Sequence, residues 1–120
     1  MNCIFCTIID SSNDLLFSSE HFVVIRSKYP IISGHILLLS KDHIRTVIDI
    51  PKDYILEYHE IYMKAYRDVL NESQKDPLVF INAPQDQSIQ HLHVHFLPGV
   101  FGALGVEKAF RQFLSEGEAK

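Results

Sequence analysis

The apolar positions of this chain change period several times, and each change marks an element. His21 to Arg26 and Ile36 to Leu39 are short, mostly apolar runs separated by Pro30 and the Ser33-Gly34 pair, a pattern that predicts two strands joined as a hairpin. From Pro51 the spacing becomes three and four. Ile55, Tyr58, Tyr62, Ala65, Tyr66 and Val69 then share one side of a helix of about five turns that ends near Asn71-Glu72-Ser73. Within it Tyr54, Tyr58, Tyr62 and Tyr66 recur every four residues, which reads as a packing stripe. Asp76-Pro77 breaks the helical pattern ahead of Leu78 to Ile81, short enough for a strand, and His91 to Leu97 alternates strictly.

Between these elements the polar residues supply loops. Cys3 to Asp10 reads as a short helical turn, Ser11 to Asp14 as loop, and Asn82 to Ser88 as a polar loop punctuated by Pro84. Val106 to Leu114, within a tail spanning about 106–116 by its helical spacing, follows a glycine-rich turn from Gly99 to Gly105. Strands interrupted by one central helix predict an antiparallel α+β domain.

Composition sharpens this picture. A chain of 120 residues with 47% apolar content closes one core, so residues 1–120 are expected to form a single domain. The net charge of -4 argues against a nucleic-acid duplex as partner and leaves a small anionic ligand open. No run approaches the roughly 18 to 20 apolar residues of a membrane span, and the start MNCIFCTIID has no basic flank. No membrane partner and a cytoplasmic location are the expectations.

The chemistry concentrates in the histidines, seven in all, of which His91, His93 and His95 occupy alternate positions. A strand sends alternate residues to one face, so three imidazoles would share a surface, roughly 7 Å apart along the backbone, while Leu92, Val94 and Phe96 enter the core. Two uses compete and are compatible: metal ligation, and catalysis in which one neutral imidazole attacks while neighbours hold charge. His21 and His59 read as ordinary structural histidines, and Lys41 as a solvated charge. Cys3 and Cys6, three apart, favour metal ligation or burial over a disulfide in a reduced compartment.

The segment HLHVHFL resembles the His-φ-His-φ-His-φ-φ signature of the histidine-triad family, in particular its Hint-like nucleotide hydrolase branch. Further likeness lies in Gly34-His35-Ile36-Leu37, Lys41-Asp42-His43, Asn82, Gln87-Ser88 and the opening Cys3-Ile4-Phe5-Cys6, so matched elements span residues 3 to 97. The resemblance implies an antiparallel half-barrel sheet with one long helix, paired as a homodimer. It also implies a nucleotide hydrolase or transferase in which His93 attacks the α-phosphate and carries a nucleotidyl intermediate. A carbonyl near His43 would fix the His93 tautomer, and His95 and Ser88 would assist as catalytic residues. Asn82, Gln87, Ser88, Ile89, His95 and Ser27 would contact the substrate, with His35 in a local structural or pocket role.

Members with the Cys-x-x-Cys opening hold zinc, which maps here to Cys3, Cys6, His43 and His91; such a closed set is structural, and no organic cofactor is expected. Ser27 stands where many members carry a ribose-binding Asp, and Ser40 replaces a usual proline. The tail from Val100 does not resemble that of the phosphoramidase branch. The substrate class therefore stays open between nucleoside phosphoramidates and dinucleoside polyphosphates, with a non-catalytic nucleotide-binding or zinc-stabilised module as the reading from another class.

Overall fold

An antiparallel sheet forms the frame of the protein. Its strands are β1 (Leu15–Ser18), β2 (Phe22–Arg26), β3 (Ile36–Ser40), β4 (Leu78–Phe80) and β5 (His93–Leu97), in the order β1-β2-β3-β5-β4. A long helix, α1 (Ile55–Ser73), covers one face. The computed structural model describes residues 3, 5–7, 15–28, 30–81 and 90–99. The loops expected at 11–14 and 82–88 and the helix expected at 106–114 lie outside the described residues.

β2 and β3 pair as the expected hairpin, from Phe22 opposite Ser40 to Arg26 opposite Ile36. Their runs are continuously apolar because both faces are covered. Phe22, Val24, Ile36 and Leu38 pack toward α1, whereas Val23, Ile25, Leu37 and Leu39 pack with Cys3 and Phe5 on the other side. The helical turn holding those last two residues closes where the Thr7 N–H and hydroxyl both donate to the Cys3 carbonyl, at 3.1 and 3.2 Å.

β1 is an element that the hydrophobic pattern did not mark. It is only four residues long, lies at the sheet edge with two positions half-buried, and shifts register against β2 between Leu15 and Phe17, so no period shows in its sequence.

The expected helix is present, with a 3-10 turn (Lys52–Tyr54) before it that begins where the Tyr54 N–H donates to Pro51. Ile61, Ala65 and Val69 are its buried positions, and the four tyrosines pack half-buried against the same cluster. Gln74 ends α1 in the left-handed region (φ 62°), its N–H donating to the Leu70 carbonyl at 2.7 Å. Among the described residues no helix is long and apolar enough to cross a membrane.

β5 starts two residues later than the alternation predicts. The Leu92 N–H is taken by the Ile44 carbonyl at 2.6 Å, outside the ladder, so pairing with β3 begins at His93 opposite Leu39. Leu92, Val94 and Phe96 nonetheless enter the helix-side core almost fully buried. Burying each contributes about 1.5–3 kcal/mol. A slip by one residue would exchange the faces, so these three set the register that sends the intervening histidines to the opposite side.

Candidate active site

His91, His93 and His95 are all buried, at 0%, 5% and 4% exposure. The rings of His93 and His95 meet edge to face with centroids 5.1 Å apart, nearer than the roughly 7 Å backbone repeat. Although one short segment supplies all three, hydrogen bonding gives each ring a different protonation pattern.

His91 directs Nε2 at the Ser40 carbonyl (2.7 Å), so its proton sits there and the Nδ1 lone pair faces Cys3 Sγ (3.4 Å) and Cys6 Sγ (3.5 Å). His93 donates from Nδ1 to the His91 carbonyl at 2.6 Å, which leaves Nε2 unprotonated. This corrects the expectation of an acceptor near His43: the carbonyl two residues back along the same segment is within reach, while His43 turns Nδ1 toward Cys6 Sγ at 3.4 Å.

His95 is set from further away. The Ile31 N–H donates to Nδ1 of His35 (3.2 Å), so His35 carries its proton on Nε2 and donates it to Nδ1 of His95 (3.0 Å). The proton of His95 therefore lies on Nε2, the reverse of His93. Phe80, paired with His95 across the β4–β5 ladder, stacks on its ring at 4.3 Å and 7°.

Burial keeps these rings neutral, because a charged imidazole loses its hydration there. It lowers His91 and His93 below the ordinary histidine value. His35 is pushed down to about 4, by burial first and then by His93, and His95 to about 2, by burial and then by His93 and His35.

Beside the triad, donor atoms of Cys3, Cys6, His43 and His91 all lie within 4.8 Å of one another. Zinc with bonds near 2.3 Å to sulfur and 2.0–2.1 Å to nitrogen places tetrahedral N and S donors about 3.6 Å apart. The sulfur–nitrogen separations of 3.4, 3.4 and 3.5 Å match that requirement. The His91–Ser40 hydrogen bond supplies the outer support that orients a ligating imidazole. The four side chains form a set able to hold a zinc ion, and His93 is not part of it.

Over residues 2–109 the chain matches the family pattern described as scavenger mRNA decapping enzyme C-term binding. It is 34% identical over 110 residues to a HIT-like protein of Chlamydia trachomatis serovar D, which covers 88% of this chain and 97% of that one. The chain belongs to the histidine-triad (HIT) family. An adenosine 5'-monophosphoramidase of Xenopus tropicalis is 29% identical to this HIT protein over 104 residues, 81% of this chain and 67% of that one. Among solved structures, a HIT family hydrolase from Legionella pneumophila superposes with a TM-score of 0.69 at 25% identity, covering 83% and 95% of the two chains.

The remaining candidates fall into three groups. Ser27 follows β2, half-buried, with its N–H on the His35 carbonyl at 3.0 Å, so its backbone runs beside the histidine that holds His95. Lys41 and His59 are exposed, and His21 bonds Glu57 on α1, as structural readings require. Asn82, Gln87, Ser88 and Ile89 lie outside the described residues. The partnership of His35 with His95 and the ring contacts of Phe5 and Phe80 escaped sequence reasoning. Only the Gly34-His35 motif and the position of Phe5 between two cysteines hinted at them.

Proposed function

We propose that this HIT protein is a nucleotide hydrolase or transferase that cleaves at the α-phosphate through a nucleotidyl intermediate on His93. The observation that carries the reading is the hydrogen-bond geometry of two adjacent rings, which implies opposed tautomers: an unprotonated Nε2 on His93 beside a protonated Nε2 on His95. A nucleophile needs the first, and a developing phosphoryl oxyanion needs a donor such as the second.

In this reading the Nε2 lone pair of His93 forms an N–P bond while the bond from phosphorus to the leaving nitrogen or oxygen breaks with its electron pair. The leaving atom takes a proton from solvent, with the Ser88 hydroxyl as a hydrogen-bond donor toward it. His95 donates to the phosphoryl oxygens throughout without giving up its proton. Water then attacks phosphorus and cleaves the N–P bond, returning a nucleoside monophosphate and free His93. Asn82, Gln87 and the backbone at Ile89 orient the phosphate, and Ser27 stands toward the ribose.

The zinc assigned to Cys3, Cys6, His43 and His91 would act as a structural clamp. Four protein ligands would leave it no open position for substrate. Nucleoside phosphoramidates are the favoured class, supported by the likeness to an adenosine 5'-monophosphoramidase.

The test is turnover of an adenosine phosphoramidate and, in parallel, of a dinucleoside polyphosphate, with intact mass of quenched reactions. The expected result is hydrolysis with a transient nucleotide-sized adduct, both abolished in a folded His93→Ala protein. Absence of both on either substrate in folded wild type would move the chain to a nucleotide-binding role.

A further inference from the structure

The side chain between the two cysteines reaches the proposed nucleophile. Phe5 is 7% exposed, its ring centroid lies 4.9 Å from that of His93 at a 53° tilt, and it meets His91 edge to face at 5.9 Å. Its remaining packing is the apolar layer of Val23, Ile25, Leu37 and Leu39, which also underlies the histidines.

We propose that Phe5 is a positioning residue for His93, locking its imidazole in the attacking orientation and tying that orientation to the cysteine–histidine metal set. The proposal rests on His93 being the nucleophile. The hydrogen bond from Nδ1 to the His91 carbonyl is one restraint on rotation of the His93 ring about its Cβ–Cγ bond, whose torsional preference is broad and two-fold. A half-turn would carry Nδ1 off its acceptor and put ring carbon where Nε2 must meet phosphorus. Contact with Phe5 and with the edge of His95 opposes that turn sterically.

Phe5 in turn has little freedom. Cys3 and Cys6 lie two residues before it and one after, both turned toward His91 Nδ1, and the Thr7 N–H closes the same turn on the Cys3 carbonyl. A metal ion that gathered Cys3 and Cys6 would therefore also press Phe5 onto the ring two positions beyond His91. A set with no place in the reaction acquires an influence on the reacting atom through one apolar side chain.

The experiment compares wild type with Phe5→Ala, Phe5→Leu and the double variant Cys3→Ser/Cys6→Ser, by steady-state kinetics on an adenosine phosphoramidate and by nitrogen–proton spectra of the ligand-free imidazoles. Misplacement of a reacting group by about 1 Å costs up to about a hundredfold. Phe5→Ala is accordingly expected to lower kcat by about tenfold to a hundredfold while KM moves less than about twofold. Its His93 Nδ1–H signal should broaden or disappear, and Phe5→Leu, keeping most of the apolar bulk, should restore kcat to within about threefold.

Folded Phe5 variants with wild-type kcat and a sharp Nδ1–H signal would overturn the proposal. Wild-type kinetics in the double cysteine variant would overturn the tie to the metal set. If Phe5→Ala fails to fold, Phe5→Leu carries both readouts with a smaller loss. If wild type itself turns over neither substrate class, the reading of His93 as nucleophile fails, and the spectra alone decide whether Phe5 holds the ring.

Discussion

Nε2 of His35 lies 3.0 Å from Nδ1 of His95, and because the Ile31 N–H occupies the other nitrogen of His35, the proton in that contact belongs to His35. The direction of one hydrogen bond thereby decides which nitrogen of His95 carries its proton. Removing the donor lets His95 take the opposite tautomer and aim a lone pair at an anion. His35→Leu is expected to lower kcat by about tenfold to a hundredfold, within the range lost when an oxyanion donor is removed. His35→Gln keeps an N–H donor and should lose less. Steady-state kinetics with nitrogen spectra of His95 check this, and an unchanged kcat in folded His35→Leu would sink it.

The cysteine–histidine set predicts one zinc per chain by elemental analysis. His93→Ala should keep that metal, whereas Cys6→Ser should lose it. Chelation removes a ligand that binds the folded form preferentially, a loss of about 2–4 kcal/mol that lowers Tm by roughly 10 °C. The check is calorimetry with and without a strong chelator; no metal and no chelator effect in protein purified without chelator would refute the assignment.

A separate polar cluster is expected to make stability depend on pH. Glu57 on α1 accepts from the Ser19 hydroxyl, from the His21 N–H at 2.6 Å and from His21 Nδ1 at 2.7 Å, while Tyr54 stacks on the His21 ring at 3.7 Å. The hydrogen bond to Glu57 raises His21 above its usual value against a smaller opposing effect of burial, helped by the charges of Glu57, Glu20 and Asp42. For Glu57, burial works upward, but the bonds from Ser19 and His21 hold it below the ordinary carboxylate range.

The His21 contribution is fully present below the unfolded value of about 6.5 and is lost as pH rises through the higher folded one. That of Glu57 is fully present above its unfolded value of about 4.3 and lost as pH falls through the lower folded one. Tm should therefore decline on the alkaline side of about 6.5, and His21→Gln should flatten that limb. Thermal melts across this range decide it, an unchanged slope in His21→Gln being the contrary result.

How far the sequence could be read depended on the range of the interactions. The alternation of His91 to Leu97 is local, so the shared face of the three imidazoles was legible from residue types alone. The set of Cys3, Cys6, His43 and His91 was accessible only through resemblance, because Cys3 and His91 meet across 88 positions. The carbonyl that holds His93 lies at His91 and not near His43, since sequence carries the acceptor's type but not its distance. His35 and His95, 60 positions apart, meet only because β3 and β5 pair in one register. Leu15–Ser18 was invisible for another reason: a four-residue edge strand buries too little to imprint a pattern.

β3 has a consequence for how this protein can fail. His35, just before it, holds His95, and the Ser40 carbonyl at its far end holds His91, so one five-residue strand addresses both ends of the triad. Inserting or deleting a single residue within Ile36–Ser40 would exchange side chains between its two covered faces and break the register that serves both hydrogen bonds. Frame errors here have no partially working outcome. Turnover in any preparation would therefore report that the central strands have docked correctly.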